Sequence, residues 1–393
     1  MMFEPESTDG DIESCNISRA NQLLFDRFQP SSHGGNKQEM ARLLNIPVDQ
    51  ILDFSASVNP LGPSPGTRAV LGCLESILAE YPDPDSILFC EKVSEYLQIP
   101  LRQILVTNGS VELIHLLPNL VGSGKEVIIL RPFFSEYERA FRFNKIHTHS
   151  ENYDVEGMFR MDIERLLNYL RGHPQIEMMV LGNPNNPTGH LWDEESLELL
   201  VQFCKSRNIF LVVDETFVEF CEKTVSVLKW VDSNPYLIVV RSMTKFYGLA
   251  GVRLGYGVMH PELRTKLKDY QIPWSVNSIA QKLGVVALDD HKYFARIKLM
   301  MLEQRERLFL ELSSISGIKV FPSHANFLLF KLLTDNTREA SQFYKGMLES
   351  GILVRSCSNF DGLDKSYFRV AVRTAKENRI LVSKIKNQLG KEC

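Results

Sequence analysis

Short apolar runs recur along the middle of the chain, and a polar or Gly/Pro-rich segment follows each of them. Four of these runs are rich in β-branched and long aliphatic residues, and they cover residues 126–130, 178–181, 210–213 and 237–240. Their length and composition predict buried strands. Amphipathic segments lie between them, such as residues 193–205, where acids come early and a lysine comes late. This alternation predicts a mostly parallel sheet with helices on both faces.

A longer amphipathic segment, residues 291–313, predicts a helix that leads into a smaller C-terminal domain. That domain would take its strands from the apolar runs at residues 325–332, 352–355 and 367–372. Because the first fourteen residues hold five acids and no Lys or Arg, residues 1–30 are predicted to form a solvated arm. We divide the chain into an arm and substrate-site segment at residues 1–60, a large domain at 61–285 and a small domain at 286–393.

The composition narrows the possible classes of function. With a net charge of -4 over 393 residues, the chain has no basic field that would favour nucleic acid or an anionic membrane surface. Its seven cysteines form no CxxC pair, which argues against a cysteine-ligated zinc site or a disulfide framework, and we expect no metal. Since the start of the chain lacks the apolar core of a signal peptide and no apolar run could cross a bilayer, we expect a cytoplasmic protein.

Polar side chains follow three consecutive predicted strands, at the edge where open α/β sheets bind ligands. Asn186 lies in an Asn-Pro-Thr-Gly turn after the run at 178–181, and Asp214 directly follows the next run. Lys245 ends the segment Arg-Ser-Met-Thr-Lys after the third run, and Arg253 comes eight positions later. Singly, each is more typical of a turn, a helix cap or a solvated side chain. Together, in this order and spacing, they indicate one site.

These residues resemble the fold type I pyridoxal-phosphate enzymes, the aspartate aminotransferase superfamily, and the resemblance covers nearly the whole chain from about His33. It implies an α/β fold, with a large domain whose mostly parallel sheet is flanked by helices and a smaller α/β C-terminal domain. It also implies pyridoxal phosphate as the cofactor, held covalently by Lys245. Asp214 would pair with the pyridine nitrogen and keep it protonated, and Asn186 would donate to the phenolic oxygen. Neighbouring cations would lower the pKa of the lysine and make it a better nucleophile.

The same resemblance implies how the rest of the cofactor is held. Contacts to its phosphate group would come from Gly109, Ser110, Val111, Ser242, Thr244 and Arg253. The first three open a predicted helix, whose backbone N–H groups favour an anion, and the other three offer side-chain donors. Phe134 would stack on the pyridine ring. Tyr81 would reach the phosphate from the partner subunit, which implies a homodimer with a shared active site.

Two arginines are candidates for binding the substrate. Arg355 and Arg369 lie within or at the end of apolar runs, and a buried guanidinium needs an anion. The His-Gly-Gly-Asn segment that opens at His33, and residues 51–62, resemble the threonine-phosphate decarboxylase family. By that resemblance the substrate is a small phosphorylated amino acid. Its contacts would be His33, Gly34, Asn59, Asn186, Asn277, Arg355 and Arg369.

The resemblance implies that L-threonine O-phosphate is decarboxylated to aminopropanol phosphate and CO2, for the nucleotide loop of cobalamin. Decarboxylation of L-serine O-phosphate to ethanolamine phosphate is an alternative, because one methyl group changes binding by only about 1–3 kcal/mol. A histidinol-phosphate-type aminotransferase is a second alternative. A domain that binds the cofactor without turnover is a third, and the joint presence of Lys245, Asp214, Asn186 and Arg253 disfavours it.

Overall fold

The strands of the chain form one large sheet, one small sheet and a separate two-stranded pair. The computed structural model describes residues 33–390, apart from residues 74 and 335 and the side chains of residues 73 and 76. The strands are β1 (Leu52–Asp53), β2 (Ile104–Thr107), β3 (Glu126–Arg131), β4 (Thr148–Asn152), β5 (Ile176–Gly182), β6 (Phe210–Asp214), β7 (Leu237–Ser242), β8 (Gly255–Met259), β9 (Ile318–Val320), β10 (Phe327–Leu332), β11 (Ile352–Leu353), β12 (Arg355–Ser356) and β13 (Tyr367–Ala371).

The large sheet has seven strands in the order β2-β8-β7-β6-β5-β3-β4. Six of these strands run parallel, and β8 is antiparallel to both of its neighbours. The four runs predicted as buried strands are β3, β5, β6 and β7, each slightly longer than predicted. The predicted mostly parallel sheet is therefore confirmed.

Helices pack on both faces of the large sheet. The α-helices of the described residues are α1 (Lys37–Leu44), α2 (Pro65–Val70), α3 (Glu75–Leu78), α4 (Ile87–Leu97), α5 (Ser110–Leu116), α6 (Ser135–Phe143), α7 (Ile163–Gly172), α8 (Glu194–Ser206), α9 (Pro261–Lys268), α10 (Ser278–Asp289), α11 (His291–Ser313), α12 (Thr337–Glu349) and α13 (Ala375–Gln388). Side chains alternate between the faces along a strand. Val212 of β6 belongs to one apolar cluster with Leu113 and Tyr137, whereas Leu211 and Val213 belong to the opposite cluster. In the part of the chain that the structure describes, no helix has both the length and the apolar character needed to cross a membrane.

The sequence pattern did not predict β8, the antiparallel strand. It carries two glycines, and glycine weakens a strand unless a close approach requires it. A Cβ on Gly255 would lie 2.5 Å from the backbone nitrogen of Ser110, and a Cβ on Gly257 would lie 2.6 Å from the side chain of Leu113. The glycines therefore let α5 sit directly on β8, which brings the start of α5 to the edge of the sheet where ligands bind.

The small sheet is antiparallel, in the order β12-β13-β10-β9. Phe343 of α12 packs against Phe368 of β13, with ring centroids 5.1 Å apart. The pair β1–β11 is parallel, with Leu52 opposite Ile352, so the segment before residue 60 is tied to this part of the chain. The strands of the large sheet all come before residue 285, and the strands of the small sheet all come after it. The predicted domain boundary at that residue stays a prediction. The predicted arm lies outside the described residues.

A buried ion-pair network joins the ends of β6 and β7. Arg241 donates from Nε to Glu215 Oε2 (2.9 Å) and from Nη1 to Glu219 Oε1 (2.7 Å). Arg241 is 4% exposed and Glu215 is fully buried. Glu215 also accepts from the backbone N–H of Val227 (2.9 Å). The network fixes the end of β7 just before Lys245.

Replacing Arg241 with alanine should destabilise the fold strongly, because Glu215 would keep a buried charge without its partner. We expect the free energy of unfolding to fall by about 3–5 kcal/mol, measured by urea unfolding of the cofactor-free protein. The control is Arg307→Ala, which removes a half-exposed helical pair with Glu311 (2.8 Å) and should cost less than about 0.5 kcal/mol. Equal losses from the two substitutions would contradict a special role for the network.

Candidate active site

A cavity of about 220 Å³ lies at the carboxyl edge of the parallel strands. Most of the site residues predicted from the sequence line it: His33, Gly34, Ser110, Val111, Phe134, Asn186, Asp214, Thr244, Lys245, Arg253, Arg355 and Arg369. A wider cleft of about 650 Å³ lies around Tyr96 and Lys298, but it contains none of the strand-end residues Asn186, Asp214 and Lys245. We therefore take the smaller cavity as the candidate active site.

Lys245 lies in the loop after β7, with its side chain partly buried in the cavity wall. Its backbone carbonyl accepts a hydrogen bond from the backbone N–H of Asn59 (3.0 Å). Burial lowers the pKa of the Lys245 amine to about 8, and the cations of Arg369 and Arg253 add to the effect. Since a neutral amine is the nucleophilic form, Lys245 is suited to attack an aldehyde close to neutral pH.

Asp214, the last residue of β6, faces the same cavity. Its Oδ1 accepts from the backbone N–H of Thr216 (2.9 Å), and its Oδ2 accepts from the hydroxyl of Tyr137 (2.9 Å). Burial raises the pKa of the Asp214 carboxyl in spite of these donors. A positively charged ligand group would stabilise the ionised carboxylate, and a protonated pyridine nitrogen is such a group. Sequence reasoning missed Tyr137, although it lies three residues after Phe134.

A cradle for an anion lies where α5 begins. Gly109 precedes the helix with a φ of +72°, and a Cβ there would lie 2.5 Å from Nη2 of Arg253. The hydroxyl oxygens of Ser242 and Thr244 are 2.8 Å apart. Together with the backbone N–H groups at the start of α5, the guanidinium and the two hydroxyls are donors suited to a phosphate.

This set of donors fits pyridoxal phosphate. Lys245 would hold the cofactor covalently, Asp214 its ring nitrogen and the cradle its phosphate, with Phe134 in the cavity wall as the stacking residue. Asn186 Oδ1 accepts from Nη1 of Arg369, which leaves the amide Nδ2 as the donor for the phenolic oxygen. When bound, the cofactor supplies an electron sink for bonds at the substrate Cα.

Two buried arginines face the cavity from the small sheet. Arg355 and Arg369 are opposite one another in the register of β12 and β13. Arg369 donates from Nη2 to the carbonyl of Ser55 (3.0 Å), and its Nε is buried without a partner among the described residues. Arg355 donates from Nη2 to Asn359 Oδ1 (2.7 Å). Burial lowers the pKa of Arg369 to about 10, so an anionic ligand would be strongly favoured between the two guanidinium groups.

His33 lies at the same end of the cavity, edge-on to the ring of Phe134 at 5.8 Å. Its Nε2 is 3.0 Å from Oε1 of Glu136, whose Oε2 is 3.3 Å from Nε2 of His115. Glu136 is only 6% exposed, and the donors from His115 and Arg139 hold the pKa of its carboxyl below the usual value despite the opposing effect of burial. Glu136 therefore orients His33, and sequence reasoning missed it because its partners are far apart along the chain.

Two asparagines predicted at the site lie outside the cavity lining. Asn59 donates from Nδ2 to the carbonyl of Phe246 (3.2 Å), next to Lys245. Asn277 caps α10 and donates from Nδ2 to the carbonyl of Val252 (3.0 Å), next to the predicted phosphate ligand Arg253. Each asparagine supports the backbone beside a predicted cofactor residue. A direct contact of either with the substrate stays a prediction.

Tyr81 also lies outside the cavity of its own chain. It is 82% exposed and packs on Trp274, with ring centroids 5.0 Å apart. Gly109 and Ser242 do not line the cavity either, but each directly contacts a residue that does. The predicted contact of Tyr81 with the active site of a partner subunit therefore stays a prediction.

Comparison with known proteins agrees with this geometry. The family model of aminotransferase class I and II matches residues 51–385. Threonine-phosphate decarboxylase of Salmonella typhimurium is 35% identical over 365 residues, which cover 91% of this chain and 97% of that protein. Histidinol-phosphate aminotransferase of Methanocaldococcus jannaschii is 30% identical, over 90% of this chain and 93% of that protein. The crystal structure of the histidinol-phosphate aminotransferase from Clostridium acetobutylicum superimposes with a TM-score of 0.80 at 28% identity, over 86% of this chain and 100% of that chain.

The chain therefore belongs to the aminotransferase class I and II family. Its cofactor is pyridoxal phosphate, as the strand-end residues predicted. The predicted fold type I architecture, with its mostly parallel sheet flanked by helices, is confirmed. These relatives include both a decarboxylase and an aminotransferase, and the residues at the substrate end of the cavity bear on which reaction takes place.

Replacing Gly109 with alanine should weaken the binding of pyridoxal phosphate at least tenfold (roughly 1.4 kcal/mol), because the new methyl group would displace the Arg253 guanidinium. The control is Gly124→Ala, which has the same φ of +72° but nothing within 4 Å of its Cβ. Both substitutions add backbone strain, but Gly109→Ala alone disturbs the cradle. The measurement is the dissociation constant from absorbance titration of cofactor-free protein. Indistinguishable constants for the two variants would argue against the cradle.

Proposed function

We propose that this chain decarboxylates L-threonine O-phosphate to aminopropanol phosphate and CO2. The observation that carries the proposal is the pair of buried arginines, Arg355 and Arg369, in one cavity with Lys245. A substrate with both a carboxylate and a phosphate offers one anion to each guanidinium. The 35% identity to a threonine-phosphate decarboxylase over most of both chains supports the same substrate class. The product would then supply the nucleotide loop of cobalamin.

The contacts of the two arginines support a division of roles. Arg369 contacts Asn186 and lies close enough to Lys245 to lower the pKa of its amine. It is therefore beside the reacting carbon, and we assign it the substrate carboxylate. Arg355, which contacts Asn359 and lies over the ring of Phe360 at 5.2 Å, is assigned the phosphate. Glu136, which is 3.0 Å from His33, holds that imidazole where it can donate to the same phosphate.

The residues that hold the substrate determine which bond at its Cα breaks. When bound, the cofactor would supply an electron sink beside the substrate Cα, and the residues that hold the substrate would select the bond from Cα to the carboxylate by orienting it toward that sink. A carboxylate fixed by Arg369 has this orientation in the proposed pose. When CO2 leaves, the electron pair stays at Cα and a proton is added there. Lys245, whose amine has a pKa of about 8, donates this proton from Nζ.

Product analysis by mass spectrometry tests the reaction. Purified enzyme with L-threonine O-phosphate should release one CO2 and one aminopropanol phosphate per substrate, with or without 2-oxoglutarate. Release of glutamate from 2-oxoglutarate would instead favour an aminotransferase, the second candidate, which the 30% identical histidinol-phosphate enzyme supports. Competition between the phosphates of threonine and serine measures the preference that one methyl group confers.

The variant Arg355→Leu tests whether Arg355 binds the substrate phosphate. Its kcat/KM for L-threonine O-phosphate should fall about 100-fold, equivalent to about 3 kcal/mol of lost phosphate binding. Its slow turnover of unphosphorylated L-threonine should change by less than about threefold. The control Arg307→Leu, on α11 away from the cavity, should leave both substrates unaffected. An equal loss with both substrates would contradict the assignment of the phosphate to Arg355.

We also propose a homodimer in which Tyr81 of the partner subunit reaches the cofactor phosphate. Tyr81 and Trp274 pack together yet stay 82% and 51% exposed, and a second copy would cover them. Mixing the inactive variants Lys245→Ala and Tyr81→Ala tests the sharing. A mixed dimer would hold one site with both defects and one intact site, so activity should return. Without sharing, each site would keep one defect and activity would stay low.

A further inference from the structure

The open edge of the large sheet carries an unusual group of side chains. Strand β4 is the edge strand, paired with β3 alone, and Thr148 lies opposite Val127. His147 and His149 flank Thr148, so both project from the same side of the strand. Glu126, the first residue of β3, lies beside them on the neighbouring strand.

The side-chain atoms of this group converge. One nitrogen from each of His147 and His149 and one carboxylate oxygen of Glu126 all lie within 4.8 Å of one another. His149 Nε2 is 2.5 Å from Oε2 of Glu126, and the two imidazole rings are 4.9 Å apart. His149 and Glu126 have side chains that are 15% and 25% exposed, whereas His147 is exposed. An ion pair would account for the contact between Glu126 and His149, but it does not explain why His147 lies beside them.

We propose that Glu126, His147 and His149 bind one zinc ion. Two imidazoles and a carboxylate form a ligand set that zinc prefers, with water in the fourth position. Metal–ligand distances of about 2.1 Å place tetrahedral ligand atoms roughly 3.4 Å apart. Because His149 Nε2 and Glu126 Oε2 are now 2.5 Å apart, zinc binding requires the Glu126 carboxylate to move back from the imidazole and the exposed His147 side chain to rotate toward the pair.

The surroundings of His149 support a ligand role. Its Nδ1 is 2.9 Å from the hydroxyl of Tyr169, so Nδ1–H can donate there and leave Nε2 for the metal. The ring of Tyr169 stacks on His173, with centroids 4.0 Å apart, and His173 Nδ1 is 2.8 Å from the Tyr169 carbonyl. These contacts hold the tyrosine that orients His149.

The site is separate from the cofactor cavity, since none of its residues lines that cavity. A zinc ion there would join β3 to β4 through side chains, in addition to their backbone hydrogen bonds. It would also place a hydrated positive charge on an edge that could otherwise pair with another chain. The proposed effect of the metal is to stabilise this edge of the sheet, and it does not depend on which reaction the cavity performs.

The test is calorimetric titration of the chelator-treated, tag-free holoenzyme with zinc chloride, after removal of free cofactor. Wild-type enzyme should bind one zinc ion per chain, and binding should raise the unfolding temperature. His147→Gln and Glu126→Gln should each weaken this binding at least tenfold while leaving turnover unchanged. His291→Gln, which removes another exposed histidine, is the matched control and should bind zinc normally.

Two outcomes would overturn the proposal. The first is the lack of saturable zinc binding by the wild-type enzyme. The second is zinc binding that survives both His147→Gln and Glu126→Gln, above all if His115→Gln abolishes it, because the metal would then lie beside Glu136, which contacts His33 of the active-site cavity. Since His147 is exposed, its replacement should leave folding intact, which circular dichroism and the unfolding temperature of metal-free protein verify.

Discussion

The chemistry of this protein depends on the electrostatic surroundings of one amine. Removal from bulk water and the nearby cations of Arg369 and Arg253 disfavour the charged form of Lys245. The negative charge of Asp214, whose two oxygens accept hydrogen bonds from Tyr137 and Thr216, opposes this lowering of the lysine pKa but does not outweigh it. The lysine is therefore available as a nucleophile, and the carboxylate is available for the ring nitrogen. The remaining residues of the cavity locate the anionic groups around these two.

The fold produces this arrangement by aligning strand ends. Asp214 and Lys245 come from β6 and the loop after β7, which are adjacent parallel strands, so their side chains meet at one edge. The ion pair between Arg241 and Glu215 ties those two ends together below the surface. Gly255 has no side chain to hold α5 away, and so the start of that helix reaches the same edge. Arg241, Glu215 and Gly255 thus determine both the packing within the large sheet and the positions of the site residues at its carboxyl edge.

The parts of the site that follow strands could be predicted from the sequence, because apolar runs locate the strands and ligands bind beyond the carboxyl ends of parallel strands. Asp214 and Lys245 are of this kind. Glu136 could not be predicted, because its contact with His33 spans about a hundred residues and depends on how two segments pack. Asn59 and Asn277 illustrate a different limit, since an asparagine next to a ligand residue can equally well hydrogen-bond to the backbone beside it. The expectation of no metal rested on cysteine spacing alone, which carries no information about histidines on neighbouring strands.

The short parallel pair between β1 and β11 has a mechanical consequence. Because Leu52 pairs in register with Ile352 and the carbonyl of Phe54 accepts from the backbone N–H of Ala371 in β13, the segment that carries Ser55 forms one structural unit with the small sheet. The carbonyl of Ser55 accepts from Arg369, so Ser55, Arg355 and Arg369 at the substrate end belong to that unit, while Lys245 and Asp214 follow strands of the large sheet. A rotation between this unit and the large sheet would widen the substrate end and leave the cofactor contacts of Lys245 and Asp214 in place. Such a rotation would allow product to be exchanged for substrate without loss of the cofactor.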